Sequence, residues 1–137
     1  MFLLDTNVLS ALRRPNTAPA QLVAWAADMP VADLYLSAIS LYEIDLGIRR
    51  IERRDLQQGD ILRSWFERGV LDGFRGRILP IDERAAMKSA ELQVPDPKPE
   101  RDCFIAATAL MHRLVLVTRN ERDFAATGVE LFNPWKD

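Results

Sequence analysis

The chain has 137 residues and a formal net charge of -2 at pH 7, and 48% of its residues are hydrophobic. This composition predicts one soluble globular domain over residues 1–137, and the near-neutral charge excludes nucleic-acid binding that relies on the overall field of the protein. The single cysteine, Cys103, excludes an internal disulfide and, because it lies in an apolar run, predicts a buried, unreactive thiol. A zinc site has no support, because His112 is the single histidine.

The sequence also lacks the features of membrane and secreted proteins. No apolar run reaches the ~18 residues of a membrane span. The N-terminus has neither the basic region nor the apolar length of a signal peptide. We therefore expect a cytoplasmic protein with no membrane partner.

The first stretch of the chain, MFLLDTNVLSAL, has the pattern of a strand followed by a helix. Residues 2–4 predict a short buried strand, and the apolar spacing from Val8 onward predicts an amphipathic helix. Asp5, Thr6 and Asn7 lie between them and carry side-chain oxygens that suit a helix N-cap. Asp5 thus ends a strand, which is where open α/β sheets bind ligands. The alternative is that Asp5 or Thr6 only caps the helix.

Strands and helices alternate along the rest of the chain. Apolar spacing predicts helices at about 18–27, 39–53 and 56–70, from 83 to the proline-rich loop 95–99, and from 102 onward. Short apolar runs predict strands at 34–37, 77–81, 114–118 and 129–132. The expected core side of the 56–70 helix is Ile61, Leu62, Trp65 and Phe66. This alternation predicts an α/β fold with a central parallel sheet flanked by helices.

Two acids on the 39–53 helix are expected to point in different directions. Glu43 shares a side with apolar residues, whereas Asp45 lies roughly 200° further round the helix and is expected to face water. Glu43 is therefore a candidate site residue, and a solvated helix edge is the alternative. Four arginines at positions 49, 50, 53 and 54 follow. They form either a solvated helix terminus, favoured by the helix dipole, or a patch that contacts phosphates.

Three acids occupy comparable places in this pattern. Asp5 follows a strand, Glu43 lies early in a helix that follows a strand, and Asp102 opens a helix. In a parallel sheet these positions converge at one edge, where like charges raise one another's pKa values. A divalent cation relieves this repulsion, and Mg²⁺ binds a few carboxylates while it keeps several waters. The sequence therefore predicts a magnesium site that could hydrolyse a phosphodiester.

A fourth polar group follows the strand at 114–118. Asn120 suits a helix N-cap, and Asp123 stands three residues later, as the acid of a capping box does. The same spacing brings Asp123 within reach of the acidic edge. We expect Asp123, rather than the uncharged Asn120, to supply further negative charge there.

Motifs along the whole chain resemble the PIN-domain ribonucleases. The matching segments, in the family's order, are LLDTNVLS at 3–10, LSAISLYEIDLG at 36–47, GRILPIDE at 76–83, DCFIAATAL at 102–110, LVTRN at 116–120 and LFNPW at 131–135. Within that family the chain is similar to the VapC toxins of type II toxin–antitoxin modules, especially the FitB-like branch.

This resemblance implies a PIN fold with Asp5, Glu43 and Asp102 as catalytic, metal-binding acids. Thr6, which follows Asp5, is a candidate auxiliary residue. The resemblance also implies Mg²⁺ or Mn²⁺ as cofactor, RNA as the substrate of endonucleolytic cleavage, a homodimer, and inhibition by a cognate antitoxin. The family often has an acid where this chain has Asn120. Either Asp123 supplies that charge as a fourth catalytic acid, with Asn120 auxiliary, or the site works with three acids.

Two other functions are compatible with an aspartate after the first strand. A phosphatase of the haloacid dehalogenase type would have Asp-x-Asp-x-Thr there, but positions 7 and 9 are Asn and Leu. A PIN-like module that binds a cation or RNA without cleavage would keep the same acids.

Overall fold

A computed structural model describes residues 1–136, in which strands and helices alternate as the sequence predicts. The strands are β1 (Phe2–Leu4), β2 (Leu34–Ser37), β3 (Ile78–Leu79), β4 (Val115–Val117) and β5 (Leu131–Phe132). The α-helices are α1 (Thr6–Leu12), α2 (Ala20–Asp28), α3 (Ala38–Glu52), α4 (Leu56–Trp65), α5 (Glu83–Leu92), α6 (Glu100–His112) and α7 (Glu121–Phe124). Short 3₁₀ turns cover Val31–Asp33 and Ala125–Thr127, and a π-helical segment, Phe66–Leu71, extends α4.

All neighbouring strands in the sheet are parallel, in the order β3-β2-β1-β4-β5. The chain moves from β1 outward to β2 and β3, and then returns to the other side of β1 for β4 and β5. The order therefore reverses between β1 and β4, and the crevice at the carboxyl ends of these two strands is where such sheets bind ligands. The first backbone group past β1, the Asp5 N–H, donates to Val117 O at 2.9 Å and closes this junction.

Helices cover both faces of the sheet. Leu3 and Leu4 of β1 are 0% and 2% exposed and belong to opposite hydrophobic clusters, because successive side chains of a strand point to opposite faces. Leu4 packs with residues of α1–α4, whereas Leu3 packs with residues of α6 and α7 such as Ile105 and Phe124. Burial on both faces explains why the strands are continuous apolar runs. The predicted α/β/α arrangement is confirmed.

Two helix starts differ from the sequence-based boundaries because a proline precedes each helix. Pro19 stands directly before α2, which therefore begins at Ala20. Pro99 stands directly before α6, so Asp102 lies in the first turn of that helix and does not open it. Proline fits such a position because the first backbone groups of a helix lack internal acceptors for their N–H. The outermost strands, β3 and β5, are two residues each and shorter than predicted.

The predicted core side of α4 is wrong at one residue. Ile61 is 55% exposed, whereas Leu62 and Phe66 are buried. Side chains three or four positions apart share a helix face, and here that face is Gly59, Leu62 and Phe66. Gly59 lets α4 approach α3 closely, because a Cβ there would lie 2.6 Å from Glu52 Cγ.

The expectation that Asp45 faces water is also wrong. Its carboxylate pairs with Arg63 of α4 at 2.5 Å and with Arg49 at 3.1 Å, and its side chain is 30% exposed. Arg63 also pairs with Glu52 at 3.0 Å. This ion-pair network joins α3 to α4 and holds the pKa of Asp45 below its usual range, first through the hydrogen bond from Arg63.

The arginines at the C-terminal end of α3 favour the helix-terminus interpretation. Arg49 forms an ion pair with Asp45, and Arg53 occupies the C-cap position of α3. Arg53 lies ten residues beyond Glu43 on the same helix, about 15 Å along its axis. Cys103 is buried, as expected. No helix within residues 1–136 has the length and apolarity to cross a membrane.

Candidate active site at the junction of β1 and β4

Asp5 lies at the point where the strand order reverses, and it is 6% exposed. One carboxylate oxygen, Oδ1, accepts the Thr6 N–H at 2.8 Å and caps α1. The other, Oδ2, accepts the Thr118 hydroxyl at 2.8 Å and the Asn7 side-chain amide at 3.2 Å. Asp5 is therefore the N-cap of α1, which was one of the two roles that the sequence suggested. Its second oxygen faces the end of β4.

Burial raises the pKa of Asp5 above its usual range. Hydrogen bonds from Thr118 and from the Thr6 backbone oppose this effect, because they stabilise the charged form. The negative charges of Glu43 and Asp123 raise the pKa of Asp5 further. Two acids that lie far from Asp5 in sequence therefore act electrostatically on its carboxylate.

Glu43 of α3 is tied to the start of α1. The Thr6 hydroxyl donates to Glu43 Oε1 at 2.7 Å, and its oxygen lies 2.9 Å from Ser40 Oγ. The side chain of Glu43 is 25% exposed, and its other oxygen pairs with Arg101 Nη1 at 3.5 Å. Glu43 is therefore not a solvated helix edge, because it is held from both sides.

The proline-rich segment before α6 is an ordered loop. The Gln93 side chain accepts the Lys98 N–H at 2.7 Å and donates to Lys98 O at 2.8 Å, which closes the loop across the prolines. The Lys98 ammonium also donates to Leu92 O at 2.7 Å. These bonds set where Pro99 ends the loop, and so they set the direction in which the first turn of α6 presents Asp102.

Asp102 has the most strongly displaced pKa of the acids at this edge. Burial, followed by the charges of Asp5, Asp123 and Glu43, raises the pKa of Asp102 to about 6. The positive charge of Arg101 opposes the shift. Asp5, Asp123 and Glu43 are therefore all near enough to Asp102 for their charges to act on its carboxylate.

Asn120 and Asp123 do not form the expected capping box. Asn120 occupies the N-cap position of α7, but its side chain makes no capping hydrogen bond. Its N–H donates instead to the Thr118 hydroxyl at 2.9 Å, so the group that a capping-box acid would accept is already taken. Asp123 is exposed, and its charge raises the pKa of both Asp5 and Asp102.

Three residues that contribute to this site were not predicted from the sequence as site residues. Thr118 is 0% exposed and joins Asp5 to the Asn120 backbone. Asn7 donates to Asp5 and accepts the Arg119 N–H at 3.4 Å. Arg101 pairs with Glu43 and lies over the Tyr42 ring, 5.3 Å from its centroid. Thr118 and Asn7 stand in motifs that the sequence displays, but their partners lie across the fold.

The donor set suits a hard divalent cation. Within residues 1–136 no three acidic, histidine or cysteine side chains form a ready-made metal cage. Mg²⁺ does not require one, because it is bound through one or two carboxylates and keeps several waters. Burial is the largest cause of the raised pKa values of Asp5 and Asp102, and repulsion by neighbouring acids adds to it. A divalent cation would relieve that repulsion.

The geometry gives no support to a phosphatase of the haloacid dehalogenase type. The second aspartate of that motif would stand at position 7, where Asn7 instead donates to Asp5. The motif's threonine would stand at position 9, where Leu9 is 6% exposed and packs in the hydrophobic core.

The chain is similar over nearly its whole length to one family of known proteins. The PIN domain family matches residues 2–130. The chain is 37% identical to toxin FitB of Neisseria gonorrhoeae, with both sequences covered completely. It is 33% identical to VapC ribonuclease Y4jK of Sinorhizobium fredii, with 99% of each covered.

Solved structures give the same grouping. The crystal structure of FitAcB from Neisseria gonorrhoeae superposes with a TM-score of 0.90 over 100% of both chains, at 37% identity. A toxin–antitoxin complex from Klebsiella pneumoniae has a TM-score of 0.71 at 27% identity, again over 100% of both chains. The chain therefore belongs to the PIN domain family, in the group that includes FitB and VapC.

Proposed function

We propose that this chain is the toxin of a toxin–antitoxin pair and that it is a metal-dependent endoribonuclease that hydrolyses RNA phosphodiester bonds. The observation that supports the proposal best is the gathering of acids at the β1/β4 junction, where burial and then repulsion by Asp5, Asp123 and Glu43 raise the pKa of Asp102 to about 6. Such repulsion is costly for stability and useful for holding a cation. The name of the VapC relative, a ribonuclease, agrees with this chemistry.

We assign Asp5, Glu43 and Asp102 as the acids that would hold the cation, Mg²⁺ in the first place and Mn²⁺ as the alternative. Asp123 would add negative charge, with Thr6 and Asn120 as auxiliary groups. A divalent cation supplies positive charge that stabilises the charge developing on the phosphodiester oxygens.

The chain's own residues would keep the acids oriented and ionised. Thr118 and Asn7 donate to Asp5 Oδ2, and these bonds favour its charged form. Thr6 holds Glu43 Oε1 in place, while Arg101 pairs with the other oxygen. With a pKa of about 6, Asp102 is mostly ionised at pH 7 and protonated in mild acid. We therefore expect cleavage to decline as the pH falls below 6.

Partners follow from the same relatives. FitB is named a toxin, and the Klebsiella relative was solved in a toxin–antitoxin complex. We propose that this chain forms a homodimer in the cytoplasm and is inhibited by a cognate antitoxin. Single-stranded or looped RNA is the expected substrate form, because its bases and backbone are accessible.

Cleavage of RNA with and without metal tests the activity. Purified chain is incubated with total RNA in Mg²⁺, in Mn²⁺ and in EDTA, and the same assay is run on Asp5→Asn and Asp102→Asn. We expect cleavage with metal, none in EDTA, and at least a hundredfold loss in each variant, as removal of an essential charged group commonly causes. Arg84→Ala, an exposed change on α5, serves as the control.

Two results would overturn the assignment. Cleavage that persists in EDTA would exclude a metal-dependent reaction. Binding of Mg²⁺ and RNA without cleavage would identify the chain as a silent PIN-like module. Melting curves of both variants show whether they fold, so loss of structure is not mistaken for loss of chemistry.

A further inference from the structure

A cleft of about 360 Å³, lined by both polar and apolar side chains, opens beside the acidic edge on the side of α1. Its walls include Asn7 and Arg14 from the α1 region, Arg119 from the loop after β4, and Trp135 near the C-terminus. Asn7 belongs to both places, because it donates to Asp5 Oδ2 and also lines the cleft. A strand that reaches Asp5 therefore has this cleft next to it.

Arg14 and Arg119 bring two positive charges into this cleft. Both residues are exposed, and across residues 1–136 neither forms an ion pair with a carboxylate. Arg63 and Arg101, by contrast, are paired, Arg63 with two acids and Arg101 with Glu43. Two guanidinium groups that line one cleft suit an oxyanion such as a phosphate, which arginine can bind through two hydrogen bonds.

The backbone that carries Arg119 is held on both sides. Its N–H donates to Asn7 Oδ1 at 3.4 Å, and its carbonyl accepts the Asn133 side-chain amide at 3.4 Å. Asn133 also accepts the Trp135 N–H at 2.9 Å, which ties the C-terminal segment to the same loop. The loop is therefore positioned at the acidic edge while the Arg119 side chain stays exposed.

We infer that this cleft is a phosphate subsite for the RNA strand, in which Arg14 and Arg119 bind the phosphate of a nucleotide adjacent to the one cleaved. The inference rests on the proposed function for its substrate. An acidic segment of a protein partner is the competing occupant. RNA is favoured because the acids at the edge repel phosphates, so a strand needs nearby positive charge to approach them.

Salt-dependent RNA binding tests this subsite without any cleavage. The affinity of the chain for a fluorescently labelled single-stranded RNA of mixed sequence is measured in EDTA between about 50 and 200 mM salt. Each phosphate contact to a single strand contributes about 0.7 to the slope of log affinity against log salt. We expect Arg14→Ala and Arg119→Ala each to reduce the slope by about 0.7 and to weaken binding several-fold.

Two further variants separate charge from structure. Arg119→Lys keeps the charge, so the slope should stay near the wild-type value while affinity falls, because lysine cannot bind a phosphate bidentately. Arg84→Ala removes an exposed arginine outside the cleft and should change neither quantity.

The outcomes distinguish the subsite from the proposed function. If wild-type chain cleaves RNA and the slope is unchanged in both alanine variants, the subsite is wrong and the activity stands. If wild-type chain binds RNA with the predicted slopes but never cleaves it, the subsite stands and the activity fails. An absence of RNA binding, or an equal loss in Arg84→Ala, would also overturn the subsite.

Discussion

The Thr118 hydroxyl donates a 2.8 Å hydrogen bond to Asp5 Oδ2 and so connects the ends of β4 and β1 across 113 positions of sequence. Thr118 is fully buried, and the same oxygen accepts the Asn120 N–H at 2.9 Å. One hydroxyl therefore orients an acid on one strand and the loop after another. Because hydrogen bonding favours the charged form of a carboxylate, this contact also opposes the effect of burial on the pKa of Asp5.

Replacing Thr118 by valine should impair catalysis as well as folding. The variant keeps the shape of the side chain and loses the donor to Asp5, a bond to a charged group worth about 1.5–3 kcal/mol. We expect kcat/KM for RNA cleavage to fall by about tenfold or more, and Mg²⁺ affinity measured by calorimetry to fall with it. Thr108→Val is the matched control, since Thr108 is equally buried but donates to the Phe104 carbonyl within α6. Equal cleavage by the two variants would contradict a special role for Thr118.

Asp102→Asn should stabilise the cation-free protein at neutral pH. In the folded chain the pKa of Asp102 is about 6, against 3.8 when unperturbed, so between these values the folded state retains a proton that the unfolded state has lost. Stability therefore falls as the pH rises through this window, and the cost is complete above pH 6. With a discount for partial exposure, the asparagine variant should gain of the order of 1 kcal/mol, or about 3–5 °C, at pH 7 in EDTA.

The same titration predicts how metal acts on stability. Mg²⁺ should raise the melting temperature of wild-type chain at pH 7, and this effect should disappear below pH 6 as Asp102 becomes protonated. Near pH 4 the wild-type and Asp102→Asn chains should melt together. An Asp102→Asn chain that is less stable at both pH values would show that the carboxylate is a structural group.

Substitutions of Asp123 and Asn120 should differ in their effects on cleavage rate and melting temperature. The charge of Asp123 acts on Asp5 and Asp102, so Asp123→Asn should reduce the cleavage rate and leave the melting temperature unchanged or slightly raised. Because the Asn120 side chain does not cap α7, Asn120→Ala should not incur the ~1 kcal/mol typical of a lost cap. Cleavage rates and melting curves are compared for both. An unchanged rate in Asp123→Asn would leave a site of three acids.

Glu43→Gln and Asp45→Asn should have opposite signatures. Glu43 is held by Thr6 and Arg101 at the acidic edge. Glu43→Gln should therefore lower the cleavage rate and have little effect on the melting temperature. Asp45 pairs with Arg63 away from that edge, so Asp45→Asn should lose about 1 kcal/mol of stability, or about 3–5 °C, and keep full activity. Loss of activity in both variants would contradict the orientation of α3 described above.

The sequence by itself determined the layered fold and the position of Asp5 at the end of a buried strand. Leu3 and Leu4 are apolar without alternation, which predicts a strand buried on both faces, and they enter opposite clusters. Asp5 had to follow such a strand, so its place at a carboxyl edge was predictable from local pattern alone. Proline positions, by contrast, moved the start of α6 two residues upstream of Asp102, because a boundary depends on which residue the loop allows to begin the helix.

Only the tertiary structure decided which partners the acids have. A hydrogen bond between Thr118 and Asp5, or an ion pair between Asp45 and Arg63, joins positions whose separation no local pattern encodes. The capping box at Asn120 failed for the same reason, since a hydroxyl from the end of β4 occupies the N–H that the local motif would use. Periodicity fixes the direction of a side chain relative to its own helix or strand, whereas the packing of neighbouring elements determines what that side chain meets.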